Sequence, residues 1–154
     1  MTDHFSAEGR NAIITGLKSY LADTTVVYFK THTYHWNVEG QNFYSLHLMF
    51  EKFYQELWES MDEIAERIRA FGGKPPQSLH ELLKVASIEE FETAPTSQIM
   101  LKNLRENYLT LAEKAHNVGS IAEEHGDRVT TDMMTEQSAF LEKSAWMVQS
   151  SIIG

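Results

Sequence analysis

The sequence predicts an all-α domain: four long helices in an up-down-down-up bundle, with a long crossover between the second and third. Three observations carry this. Apolar residues recur at three- and four-residue steps along four separate stretches, the period of a helix with one buried face. Gln41 to Phe71 contains no Gly or Pro and is dense in Leu, Met, Glu, Lys, Gln, Ala and Arg, all good helix formers. Between this run and the next periodic stretch lies a link of about 23 residues, too long for a tight turn and suited to crossing the length of a bundle. No strand signal competes with these. With 154 residues the chain is one domain, 1–154, whose residues 1–6 form a short N-terminal tail.

Ser6 is placed to cap a first helix over residues 7–35. Ile14, Leu17, Leu21 and Tyr28 recur at helical spacing, and Val26, Val27 and Phe29 widen that apolar face. Gly9 and Gly16 weaken the helix modestly. The second helix spans residues 41–71, preceded by Gly40 and stopped by Gly72-Gly73-Lys74-Pro75-Pro76. Ser78-Leu79-His80-Glu81-Leu82-Leu83 reads as a short extra helix within the crossover. Ala86 to Ser97, with Glu89, Glu90, Glu92 and Pro95, reads as an acidic loop. The third helix runs from Thr96 to His125 on Leu104, Tyr108, Leu111, Ala115, Val118 and Ala122. Gly126 ends it, Asp127 caps the fourth, and Met134, Leu141, Ala145, Val148 and Ile152 carry the pattern onward to Ile152.

Composition bounds the function. The absence of cysteine excludes disulfides and thiolate metal sites. A net charge of −9, from 13 basic and 22 acidic residues, repels polyphosphate at long range and attracts cations. Near the N-terminus Arg10 stands alone against Asp3 and Glu8, and Gln149 to Gly154 has no charged side chain, so DNA binding through basic tails is not expected. No signal-peptide pattern and no apolar run near the ~20 residues of a membrane span are present, which makes a cytoplasmic protein without membrane partners the expectation.

The chemistry lies between Thr31 and Gly73, in His35, His47, Glu51, Asp62 and Glu66. Imidazole and carboxylate donors together suit redox-active iron, and they also suit Zn2+. At about 100° per residue, Glu51 lies roughly 40° from His47, Asp62 roughly 60° and Glu66 roughly 100°, so the four share one helix face. Yet His47 and Asp62 are roughly 22 Å apart along the axis, whereas metal–ligand bonds are only about 2 Å long. One chain cannot close such a site. Two antiparallel copies about a two-fold axis near Leu57 can: His47 of one copy faces the partner's Asp62 and the partner's Glu66, giving two equivalent centres. His35 joins them from the end of the first helix, carried round by the Asn37-Val38-Glu39-Gly40 turn. His32 shares its face, as a neighbour of the site or as a histidine at the helix C-terminal dipole.

The stretch HWNVEGQNFYSLHLMFEKFYQELWESMDEIAERI resembles the Dps miniferritins, the DNA-binding proteins from starved cells, and the similarity extends from the first helix to Trp146-Met147. His35-Trp36-Asn37, the Gly40 turn, His47 twelve residues after His35, then Glu51, Asp62 and Glu66 all fall in that family's register. The resemblance implies a ferritin-like four-helix subunit in a hollow homo-dodecamer, with ferroxidase centres shared across two-fold interfaces. His35 and His47 would come from one subunit, and Glu51, Asp62 and Glu66 from the facing helices. The implied activity is oxidation of Fe(II), preferably by hydrogen peroxide, with storage of Fe(III) as mineral and protection against oxidative damage. Trp36 is implied as a sacrificial electron donor, or as aromatic packing with Trp58 at the interface. Glu123, Asp127 and Asp132 are the candidates for an acidic three-fold pore that admits iron, and Asp127 is equally the N-cap of the fourth helix. The basic tails through which members of the family commonly bind DNA are missing.

Other readings fit less well. An ordinary ferritin or bacterioferritin needs Glu-x-x-His on two helices, and only Glu113-Lys114-Ala115-His116 matches. The charge argues against a nucleoid or DNA-coating protein. A non-catalytic helical assembly would hold Zn2+ through the same imidazoles and carboxylates.

Overall fold

The computed structural model describes residues 4–90, 93 and 95–152. Its helices are α1 (Ala7–Asn37), α2 (Phe43–Ala70), α3 (Leu79–Val85), α4 (Ser97–Glu124) and α5 (Arg128–Ser151), and no strand occurs among the described residues. Each boundary has a local cause. Ser6 Oγ accepts from the Gly9 amide at 3.0 Å and opens α1. That helix runs two residues past the expected end at His35. The Val38 amide still reaches the Tyr34 carbonyl, and the Asn37 side chain donates to the Thr33 carbonyl at 2.7 Å. Helices α2 and α4 finish alike, with glycine in the left-handed region at Gly72 (φ 81°) and Gly126 (φ 75°). The Gly73 amide closes on the Ile68 carbonyl and the Asp127 amide on the Ala122 carbonyl, at 3.0 and 2.8 Å. Asp127 then caps α5, its Oδ1 accepting from the Thr130 amide. At α3, Ser78 Oγ accepts from the Glu81 amide while Glu81 reaches back to the Gln77 amide.

Cross-helix hydrogen bonds fix the directions. Along α1, Ser19, Thr31 and Tyr34 meet Lys114, Tyr108 and Asn103 of α4, so these two helices run antiparallel. Along α2, Ser60 and Arg67 meet Gln137 and Thr130 of α5, again antiparallel. With α1 and α2 joined by a short turn, this is the up-down-down-up order. The core has large rings at its centre, with Tyr20, Phe50, Phe53 and Tyr108 fully enclosed among Leu17, Leu57, Ile64, Ile68, Leu104 and Leu111. The periodic positions of α4 and α5 from Leu104 to Val148 are buried as expected. Phe29 is not. It is 52% exposed and meets Trp36, two helical turns further along α1, edge-on.

Two buried polar anchors hold the crossover. Asp23, fully enclosed on α1, accepts from the Ser87 amide, the Ser87 hydroxyl, the Ile88 amide and Lys114 Nζ. Burial opposes its charge, but these donors together hold its carboxyl below the ordinary value. Nearby, Lys30 Nζ donates to the Glu89 carbonyl at 2.7 Å and to Asn107 Oδ1 at 2.8 Å. The acidic loop expected over Ala86 to Ser97 is thus pinned at its start. Glu92 lies outside the described residues.

Candidate metal centre

The turn over residues 38–42 brings the C-terminal end of α1 against the N-terminal end of α2, and with it His35 against His47. Their rings stack at 3.7 Å with planes 16° apart. His35 Nδ1 lies 2.8 Å from the His47 carbonyl, and His47 Nδ1 lies 2.8 Å from the His35 carbonyl. A carbonyl oxygen only accepts, so each Nδ1 must carry the proton. In the neutral rings both Nε2 atoms therefore keep a bare lone pair. This is the tautomer a metal ligand needs, fixed by a backbone partner as in metal-binding histidines generally.

Aromatic groups wall this pair. Tyr54 stands edge-on to His35 at 5.2 Å, and Phe43 leans on His47 at 5.1 Å. His32 stacks face to face on Tyr54 at 3.9 Å and packs on Trp36 at 4.4 Å. Tyr28 Oη sits 3.0 Å from His32 Nδ1. Desolvation, and then the charge on His35, hold His32 below its ordinary pKa. Desolvation, with Glu51 and then Tyr28 adding to it, pushes the Tyr54 hydroxyl up, so Glu51 is close enough for its charge to be felt there. The position of His32 on the same face as His35 pointed to such a neighbour. Tyr28 and Tyr54 carried no comparable signal, since tyrosines at helical spacing read as core.

Asp62 and Glu66 lie exposed near the other end of α2, remote from His47 within the protomer. Beside Asp62 opens a groove of about 450 Å³, floored by Leu21, Met61 and Ala65 and walled by Trp58 and Pro75-Pro76. Among the described residues, no three His, Asp or Glu side chains of one protomer gather as a metal site. Trp36, packed on His32, is 58% exposed, and Trp58, beside Asp62 in the groove, is 59% exposed. Of the acidic residues considered for a pore, Glu123 and Asp132 are exposed at the α4–α5 corner. Asp127 is not available in the protomer: its side chain is 1% exposed, and Oδ1 takes Arg67 Nη2 at 2.7 Å as well as the Thr130 amide. It ties the end of α2 to the start of α5, the N-cap alternative named for it from the sequence.

The interior also bears on a centre within one bundle. Among the described residues the buried carboxylates are Asp23 and Asp127, both held by cations and amides at the edge of the bundle. Its middle holds neutral groups instead, with Tyr20 and Ser60 both donating to Gln137 Oε1. His116 points outward and pairs with Glu142 at 2.9 Å.

The bundle is ferritin-like, and residues 14–152 match the ferritin-like domain family. DNA protection during starvation protein 2 of Bacillus anthracis is 36% identical over 138 residues, covering 90% of this chain and 94% of that protein. A solved Dps protein from Bacillus brevis superposes with a TM-score of 0.90 at 32% identity, over 94% of this chain and 97% of that one. A Dps protein from Vibrio cholerae O1, described as a member of a broad superfamily of ferritin-like diiron-carboxylate proteins, gives 0.91 at 29% identity, over 95% and 92%. The chain belongs to the Dps branch of the ferritin-like family.

Proposed function

We propose that this protein is a ferroxidase and iron-storage miniferritin, whose substrates are Fe(II) and hydrogen peroxide. The observation that carries the reading is the reciprocal bonding of His35 and His47, which leaves two Nε2 lone pairs. Glu51, one turn after His47 on α2, is read here as standing on the histidines' side of the interface rather than on the facing helix that the resemblance implies. Asp62 and Glu66, exposed at the other end, complete the donor set when a second copy packs antiparallel about a two-fold axis. The donors are neutral imidazole and carboxylate, which fit iron. The imidazoles hold the ions in place, and the carboxylates stabilise the ferric product by their charge.

The stoichiometry explains why the site should hold iron in pairs. Two Fe(II) give one peroxide the two electrons and, with two protons, two waters form. A lone Fe(II) gives one electron and releases hydroxyl radical. Twelve such subunits would enclose a cavity in which Fe(III) is stored as mineral. The relatives' names speak of DNA protection. In a chain of net charge −9, that protection follows from removing iron and peroxide rather than from coating the nucleic acid. Glu123 and Asp132 remain the candidates for drawing iron inward.

Stopped-flow absorbance tests the reading. Anaerobic protein loaded with two Fe(II) per site is mixed with one peroxide per iron pair, and in parallel with oxygen. Fast, complete ferric formation with peroxide, slower formation with oxygen and no trapped hydroxyl radical are expected. Rates no faster than free iron in the same buffer would overturn the proposal and favour a structural metal such as Zn2+.

A further inference from the structure

We propose that Lys30 and Asn107 join in an intramolecular isopeptide bond between α1 and α4, made by the chain itself with Glu90 carrying the proton.

The fold sets up the pair. Among the described residues Lys30 is the one buried lysine, 5% exposed. Its Nζ lies 2.8 Å from Asn107 Oδ1 and 2.7 Å from the Glu89 carbonyl. A carbonyl bond is about 1.23 Å long, so Asn107 Cγ stands within about 4 Å of the amine. Both residues sit well inside long helices, so the two groups are held near attack distance rather than meeting by chance. A cavity of about 60 Å³ beside Lys30 is lined by Val26, Phe29, Thr33 and Glu90, which brings a carboxylate into the same enclosure.

Each group answers a chemical requirement. An amine attacks a carbonyl only when its nitrogen is unprotonated. Burial favours that form and outweighs the charges of Glu89 and Glu90, so the Lys30 pKa lies below its ordinary value. Rotation about the Cε–Nζ bond then turns the lone pair toward Cγ. The nitrogen that Asn107 must lose is a poor leaving group until it is protonated, and a carboxyl at the site can supply that proton. Lys114 shows the contrast. Its Nζ faces the Asp23 carboxylate and the Ser19 and Ser87 hydroxyls, none of which is an amide carbonyl.

In the reaction the Nζ–Cγ bond forms and the Cγ–Nδ2 bond of Asn107 breaks. Glu90 takes the proton the amine gives up and hands it to the departing nitrogen, which leaves as ammonia. The balance is Lys–NH2 + Asn–CONH2 → Lys–NH–CO–Asn + NH3. One amide replaces another, and escape of ammonia past the exposed Glu90 draws the exchange forward. The product closes a covalent loop between residues 77 apart in the sequence, with α2 and the crossover inside it.

Mass spectrometry of the purified full chain tests this without any variant. The intact protein is expected to fall short of its sequence mass by one ammonia. A succinimide at Asn107 would have the same mass, and trypsin separates the two. The cross-link blocks cleavage after Lys30 and yields residues 19–52 joined to 106–114. A succinimide leaves Lys30 cleavable and overturns the proposal. In denaturing electrophoresis the looped chain should run ahead of Lys30→Arg and Asn107→Ala, which cannot form the bond. Glu90→Gln removes the proton carrier and should slow bond formation at least about a hundredfold, so that this variant is isolated mostly unlinked. Full sequence mass in the wild type after prolonged warming overturns the proposal, as does a cross-link formed equally fast in Glu90→Gln.

Discussion

Each imidazole of the candidate site is oriented by the backbone carbonyl of the other residue, and this has a consequence for mutagenesis. His47→Ala removes one ligand but leaves the residue 47 carbonyl in place, so His35 keeps its Nδ1 proton and its bare Nε2. Either single variant should therefore lose at least about tenfold in Fe(II) affinity through its own missing ligand, with the other ring unchanged in tautomer. Titration calorimetry of anaerobic Fe(II) checks the affinity, and the imidazole nitrogen signals in nuclear magnetic resonance check the tautomer. Asp23 makes a residue-scale prediction about stability. Its folded pKa is depressed, so its contribution is complete above the ordinary value of 3.8 and is lost as pH falls below that value through the folded one. Asp23→Ala leaves two crossover amides without their acceptor and Lys114 without its carboxylate, with only the Ser19 and Ser87 hydroxyls remaining to it, and should cost about 3 kcal/mol at neutral pH. Denaturation curves of wild type and variant should converge on acidification, and parallel curves down to acid pH would contradict the assignment.

At the scale of elements, the corner between α4 and α5 joins a structural role, seen at Asp127, to the iron-entry role proposed for Glu123 and Asp132. Asp127 caps α5 and holds Arg67 of α2, whereas Glu123 and Asp132 face solvent. Asp127→Ala should thus destabilise by about 3 kcal/mol, combining a lost cap with a broken buried pair. Glu123→Gln and Asp132→Asn should stay within about 0.5 kcal/mol of wild type while slowing the uptake of iron. Chemical denaturation and the rate of iron incorporation read the two effects separately. Gly126, at φ 75°, ends α4 where an L side chain is strained, and Gly126→Ala should cost about 1–2 kcal/mol at the same corner.

The whole molecule is where the candidate site is completed or fails. If His47 of one chain works with the partner's Asp62, inactive His47→Ala and inactive Asp62→Ala chains should restore each other once co-assembled. For random pairing of equal amounts, about a quarter of the sites receive an intact histidine from one chain and an intact carboxylate from the other. Unfolding and reassembling the mixture, then measuring peroxide-driven iron oxidation, should recover about that fraction of wild-type activity per site. A site confined to one chain would recover none. The groove beside Asp62 and the exposed Trp58 should lose solvent access in the same assembly, which fluorescence quenching of the tryptophans reports.

Helix number and order were legible in the sequence, and boundaries to within two residues, because they depend on local causes: Ser6 and Asp127 as caps, Gly72 and Gly126 as stops, and a helical apolar period between them. The shared face of the candidate donors was legible for a related reason, since a histidine and three acidic residues on one helical face follow from 100° per residue alone. Phe29 shows where that logic stops. A ring at the margin of an apolar face can turn either way, and only the packing of α1 against its neighbours sent it outward. The tautomers of His35 and His47 depend on carbonyls brought together by a turn, the rings of Tyr54 and Trp58 against Tyr28 on the packing of α2 on α1, and the partners of Asp23 on a crossover 64 residues away. None of these distances has a sequence period. By itself the sequence determined which groups exist and on which face of which helix they stand, because helix geometry is repetitive. The tertiary structure alone decided which of them are held, which are free and which proton each imidazole keeps, because those depend on contacts between elements distant along the chain.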